Sequence, residues 1–169
     1  EKEYKQDFKD YEEFFKEFGL DLKKRLIVFT PLGDKFVRVN DIDQYTMEIL
    51  KTLPQEKIQI LVRFPPDEEV TLKNFTKPAN MVFHHPGFAF SKKFEDREIR
   101  AEDDESLINS IYWSDIVITG PTSINLDAAF FDKPIIAANL IPSPRPYFET
   151  DYCFDFTHMQ NMLRTGGAV

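Results

Sequence analysis

The segment Ser114–Ile136, SDIVITGPTSINLDAAFFDKPII, gathers residue types that could hold a phosphate and a ribose. Gly120 lets backbone come close to a ligand. Pro121 has its φ preset for the first turn of a helix. Thr122 and Ser123 place two hydroxyls beside first-turn amides that have no intrahelical partner. Amides, hydroxyls and the positive helix end together suit a phosphate or diphosphate. Asp127 follows Ser123 by about one helical turn, where its carboxylate could accept from ribose hydroxyls. A purely structural reading stands beside this one: Thr122 and Ser123 cap the helix, and Asp127 is solvated or salt-bridged.

Other residues could join such a site. Arg63 precedes Phe64-Pro65-Pro66, and its guanidinium matches phosphate geometry, although a surface salt bridge would use it equally well. His84 and His85 lie just before Pro86-Gly87. Of the two, His85 is the candidate for phosphate binding or proton transfer. No further Cys or His is spaced to complete a metal site, so no metal is expected. Thr30, Gly33 and Asp34 flank a Pro31-Leu32 turn that could face a ligand or be a turn only. Arg145 stands in a proline-rich loop, and His158 stands alone in a predicted helix and reads as structural. The chain has no Gly-x-Gly-x-x-Gly and no Walker-type loop, so neither NAD nor ATP chemistry is expected, and no cofactor.

These residues need a scaffold, and the hydrophobic pattern supplies one. Tyr4, Phe8, Tyr11, Phe15 and Phe18 recur at helical spacing and stop at Gly19, predicting an amphipathic helix. Leu26–Thr30, Ile58–Phe64, Met81–Phe83, Ile116–Thr119 and Ile135–Ala137 read as short buried strands. Between them, Asn40 or Asp41 can cap a helix with Ile42, Tyr45, Ile49, Leu50 and Leu53 on one face, ended by Pro54. Asp103, Asp104 and Glu105 favour a helix start, followed by an apolar stripe of Leu107, Ile108, Ile111 and Tyr112. Ser123–Phe131 and Thr157–Arg164 complete the helices. The predicted fold is α/β: a Rossmann-like, three-layer parallel sheet with helices on both faces. Ligands of such sheets bind at the carboxyl ends of the strands, where the Gly120–Ser123 loop falls.

Bulk composition narrows the classes. The 169 residues are 42% hydrophobic and 30% charged, an ordinary globular balance. A formal net charge of -8 argues against a nucleic-acid surface. A single cysteine, Cys153, excludes an internal disulfide framework and fits a reducing, cytoplasmic setting. No signal-peptide pattern and no apolar run long enough to span a membrane is present.

The order Ser114-Asp115-Ile116-Val117-Ile118-Thr119-Gly120, Thr122-Ser123, Asp127-Ala128-Ala129 and Lys133-Pro134-Ile135-Ile136 resembles the C-terminal, donor-binding lobe of GT-B glycosyltransferases. It looks most like the CDP-glycerol glycerophosphotransferase-like branch, whose pattern reads SD-hydrophobic-ITD-x-SS-x-x-x-D and then KP-hydrophobic. Phe14–Thr30 looks like the segment that leads into the lobe's first strand. The resemblance implies one lobe of a GT-B architecture: residues 1–20 a leading helix or linker, 21–169 the nucleotide-binding lobe. It implies diphosphate at Thr122-Ser123 and ribose at Asp127. It also implies a nucleotide-sugar donor, no bound metal, and a catalytic base on an N-terminal lobe of the same polypeptide. A cell-surface polymer would be the acceptor, and peripheral membrane association of the full-length protein is compatible with that. Residues 1–169 alone are then expected to bind without turnover.

Two positions depart from the branch. Gly120-Pro121 stands where it carries Asp-Tyr, and Arg63-Phe64-Pro65-Pro66 lacks the histidine of its His-Pro. The second departure favours sugar transfer over CDP-glycerol chemistry, which stays as an alternative. A nucleotide-sugar 2-epimerase shares this lobe but usually shows a serine–glycine–glycine loop. A non-catalytic interaction module with the same fold is the remaining alternative, with the first helix as its partner surface.

Overall fold

The computed structural model describes residues 8–34, 41–91, 96–140 and 151–169. Five parallel strands form its central sheet: β1 (Arg25–Thr30), β2 (Ile58–Arg63), β3 (Met81–His84), β6 (Ile116–Thr119) and β7 (Ile135–Ala137). Their spatial order is β3-β2-β1-β6-β7. The chain runs outward from β1 to β3, then returns beside β1 and runs outward the other way. The order therefore reverses between β1 and β6, the point where such sheets open a crevice. Central strands are apolar on both faces, and Leu26 to Thr30 are all buried. Val169 continues the ladder at β7, accepting from the Ala137 amide and donating to the Ile135 carbonyl. The α/β, Rossmann-like sheet expected from the sequence is the one observed.

One face of the sheet packs Ile27, Phe29, Ile60 and Val62 against Met47 and Leu50 of α2 (Ile42–Leu50). The other face packs Leu26, Val28 and Leu61 against Phe14 and Phe15 of α1 (Tyr11–Glu17). Farther along that face, Val117 and Ile135 meet three helices: α3 (Ala101–Trp113) through Ile111, α4 (Ile124–Phe130) through Ala128, and α6 (Thr157–Thr165) through Met162. The leading helix is thus docked on the sheet. Phe14 is fully buried, and a Phe so placed contributes about 2–3 kcal/mol. Asp10 caps α1 by accepting from the Glu12 amide. Gly19, at φ +64, ends it while Leu20 N donates to the Phe15 carbonyl at 2.7 Å, the closure that a left-handed glycine permits. Tyr4 lies outside the described residues.

Several local features differ from the sequence expectation or go beyond it. The buried side of α2 is Ile42, Asp43, Thr46, Met47 and Leu50, while Tyr45 and Ile49 are exposed. Asp43 turns the helix, because its carboxylate accepts from the amides of Leu32 and Gly33 at 2.8 and 3.0 Å. Asp41 is the N-cap residue but makes no side-chain cap bond, and Asn40 lies outside the described residues. No helix links β2 to β3: residues 64–80 run as an irregular segment whose Val70, Leu72 and Phe75 cover the sheet. Pro65, Pro66 and Pro78 disfavour a helix there. A two-stranded hairpin, β4 (Phe88–Ala89) with β5 (Arg97–Glu98), precedes α3. A four-residue helix, α5 (Asp151–Phe154), precedes α6. Among the described residues no helix is long and apolar enough to cross a membrane.

Candidate functional site

At the carboxyl ends of β1, β2 and β6 the chain encloses a cavity of about 380 Å³. Its lining brings together Thr30, Arg63, Pro121, Thr122 and Ser123, which the sequence singled out separately. The cavity sits at the reversal of strand order, beside the loops after β1 and β6.

Asn125 shapes the loop after β6. Its side chain is fully buried, and Nδ2 donates to the Gly120 carbonyl at 2.8 Å and the Thr122 carbonyl at 2.9 Å. Thr122 Oγ1 lies 3.0 Å from Thr119 Oγ1. Ser123 is the N-cap residue of α4, yet its side chain makes no cap hydrogen bond, so capping does not account for the hydroxyl. Gly120 meets a protein neighbour: a Cβ there would fall on the Leu32 side chain. Gly33, at φ +89, is similarly confined, since a Cβ would stand 2.5 Å from Glu68 Oε2. Neither glycine lines the cavity; both let the β1 and β6 loops close up around it.

Arg63 is only 6% exposed. Its Nη2 donates to the Asp103 carbonyl at 2.7 Å, while Nε has no partner. Burial pulls the guanidinium down to about 10, against the pull of Asp103 and Asp104; it remains a cation at neutral pH. Burial also disfavours charge on Asp103, but the amides of Gly87 and Arg100, with Arg63 behind them, hold its carboxyl below the usual range. Thr30 is 2% exposed and its Oγ1 also lacks a partner.

Other predicted residues lie apart. His85 stacks on Phe64 at 4.2 Å and 8° and does not line the cavity. His84 packs against Phe18, and burial with nearby Arg63 lowers its imidazole to about 4, so it is neutral at pH 7. Asp127 lines a separate groove of about 640 Å³ between α3 and α4, with Asp104, Leu107, Leu126 and Phe130. Burial raises its carboxyl above the usual range. Asp104 of that groove directly follows Asp103, which is bonded to Arg63 of the cavity. Asp34 binds Thr71, accepting from its amide and hydroxyl. Arg145 lies outside the described residues.

Asn125, Asp43 and the C-terminal wall were not evident from the sequence. Cys153, Phe156 and His158 line the cavity, so His158 is not remote from it. Asn125 sat two positions from Ser123 in the loop motif, which was a usable signal. Nothing in the local sequence around His158 tied it to β6.

No family model matches the chain, and no curated protein matches it. Solved structures do. The kitacinnamycin glycotransferase aligns at 11% identity and a TM-score of 0.50, over 88% of this chain and 30% of that one. The wall teichoic acid polymerase TagF aligns at 14% identity and 0.45, over 75% and 28%. A putative UDP-N-acetylglucosamine 2-epimerase from Listeria monocytogenes aligns at 12% identity and 0.42, over 73% and 29%. At such identities the likeness is one of fold alone, a Rossmann-like α/β lobe. The chain spans under a third of each of these three structures.

Proposed function

We propose that this chain is the donor-binding lobe of a glycosyltransferase, holding a nucleotide-sugar for transfer to a cell-surface glycan or polymer acceptor. The observation that carries the reading is the cavity at the strand-order reversal, where the unpartnered Nε of a buried guanidinium and an unpartnered buried hydroxyl meet the Pro121–Ser123 loop. Arg63, Thr30, Thr122 and Ser123 hold the diphosphate. The nucleoside runs toward the α3–α4 groove, where Asp127 accepts from the ribose hydroxyls. In transfer, an acceptor oxygen bonds to the sugar carbon as the carbon–oxygen bond to the diphosphate breaks. The electron pair passes to the diphosphate, and donors fixed in a buried site stabilise that charge. The acceptor and the catalytic base belong to another lobe of the polypeptide, in the cytoplasm.

Calorimetry with UDP, CDP and GDP tests this reading. It predicts binding of at least one of them, weakened by Ser123→Ala. No binding of any, with Ser123→Ala indistinguishable from the parent, favours a non-catalytic module.

A further inference from the structure

The first turn of α6 borders the same cavity and remains without an assigned role. Its N-cap residue is Phe156, which has no side chain able to cap, and its first turn holds no acidic residue. The amides of Thr157, His158 and Met159 are therefore without intrahelical partners, at the positive end of a nine-residue helix. This turn lies beside the β6 loop: Asn125 Nδ2, which holds that loop, is 3.5 Å from Met159 Sδ.

Independent observations point to a ligand here. His158 lines the cavity and its Nε2 is shielded without a partner. Thr30 Oγ1 and Arg63 Nε, in residues 2% and 6% exposed, line the same cavity and also lack partners. Buried polar atoms left unpaired cost free energy, so three around one cavity describe a site that a ligand completes. Arg63 Nε–H and the Thr30 hydroxyl donate, and His158 donates from Nε2 in the matching tautomer. The complement to three donors in the lining of one cavity is a group rich in acceptor oxygens and negative charge.

We propose that His158 and the first-turn amides of α6 form a second contact for the diphosphate, beside the Pro121–Ser123 loop. His158 is then a direct binding residue for the leaving group. The nucleoside part of this ligand rests on the donor-lobe reading; the anion contact does not.

The test is calorimetry with inorganic pyrophosphate, with UDP, CDP and GDP, and with the matching nucleosides. His158→Ala should weaken pyrophosphate and the bound nucleoside diphosphate about tenfold, the scale of a charge-assisted hydrogen bond, and leave nucleoside affinity unchanged. His158→Gln, which keeps a donor of similar reach, should lose less. Thr157→Asp adds a negative charge at an exposed first-turn position. It should preserve or raise the melting temperature while weakening both anions about threefold, which a purely structural role for this turn would not produce. If a diphosphate binds but neither His158→Ala nor Thr157→Asp weakens it, the contact is overturned and the donor reading survives. If pyrophosphate binds in a His158-dependent way and no nucleotide binds, the contact stands and the donor reading falls. If no anion binds at all, both fall.

Discussion

Arg63 Nη2 donates to the backbone carbonyl of Asp103 at 2.7 Å, pinning a buried guanidinium at the carboxyl end of β2 without giving it a carboxylate partner. The bond orients the side chain, and the charge stays available to an anion. Arg63→Met should therefore weaken binding of the preferred nucleoside diphosphate about 10- to 100-fold, the loss of a charge-assisted contact. Arg63→Lys should recover only part, because an ammonium lacks the planar fork. Titration calorimetry on both variants measures this; unchanged affinity in Arg63→Met removes Arg63 from the site.

Asn125 should be worth more to stability than its place in a short helix suggests. Its Nδ2 is a second donor to the carbonyls of Gly120 and Thr122, and its removal leaves each with a single backbone amide, from Thr122 and Asn125 respectively. Asn125→Ala should lower unfolding free energy by about 2–3 kcal/mol. Asn125→Asp should cost more at neutral pH, since a carboxylate would face the same two carbonyls. Urea denaturation of the three proteins tests the order.

Gly120 and Leu32 should couple energetically. A methyl at residue 120 collides with the Leu32 side chain, so Gly120→Ala should destabilise by about 1–3 kcal/mol, the usual cost of overpacking. In the Leu32→Ala background the same change should cost much less. A double-mutant cycle by denaturant unfolding reads this directly, and simple additivity would contradict the packing described.

Much of the sheet was legible because its strands are short apolar runs such as Leu26–Thr30 and Ile116–Thr119, buried on both faces. Helix α2 was legible in position but not in orientation. A hydrophobic template places Asp43 outside, whereas its carboxylate is spent on two amides of the β1 loop. Residues 64–80 carry prolines and scattered apolar side chains with no period, so only tertiary packing reveals what they cover. The Pro121–Ser123 part of the site followed from residue types in a local motif. His158 joins it across a long stretch of chain through α6 packing, which local spacing does not encode.

His84 should make stability acid-sensitive. Its imidazole is lowered by burial first and by Arg63 second, from 6.5 to about 4. A depressed folded value means stability is fully present above the unfolded value and is lost as pH falls toward the folded one. Stability should thus drop between about pH 6.5 and 4, and His84→Phe should flatten that part of the profile. Thermal melts across this range check it; a parallel decline in the variant would assign the drop to other groups.

Asp127 should behave oppositely. Burial raises its folded value, so its ionisation opposes folding as pH rises. Asp127→Asn should be neutral or stabilising at pH 7, with the difference from the parent shrinking at pH 3. The same variant should weaken the nucleoside diphosphate that the parent binds. Stability without loss of affinity would free the α3–α4 groove from any part in nucleotide binding.

The central claim is that the cavity between the β1, β2 and β6 ends takes a nucleoside diphosphate. Amide chemical-shift mapping during titration with UDP, CDP and GDP tests it most directly. The expected result is saturable shifts for at least one nucleotide, concentrated at Thr30, Arg63, Thr122, Ser123 and His158. Saturable shifts confined to the Phe88–Glu98 hairpin or to α1, or no shifts with any nucleotide, would contradict it.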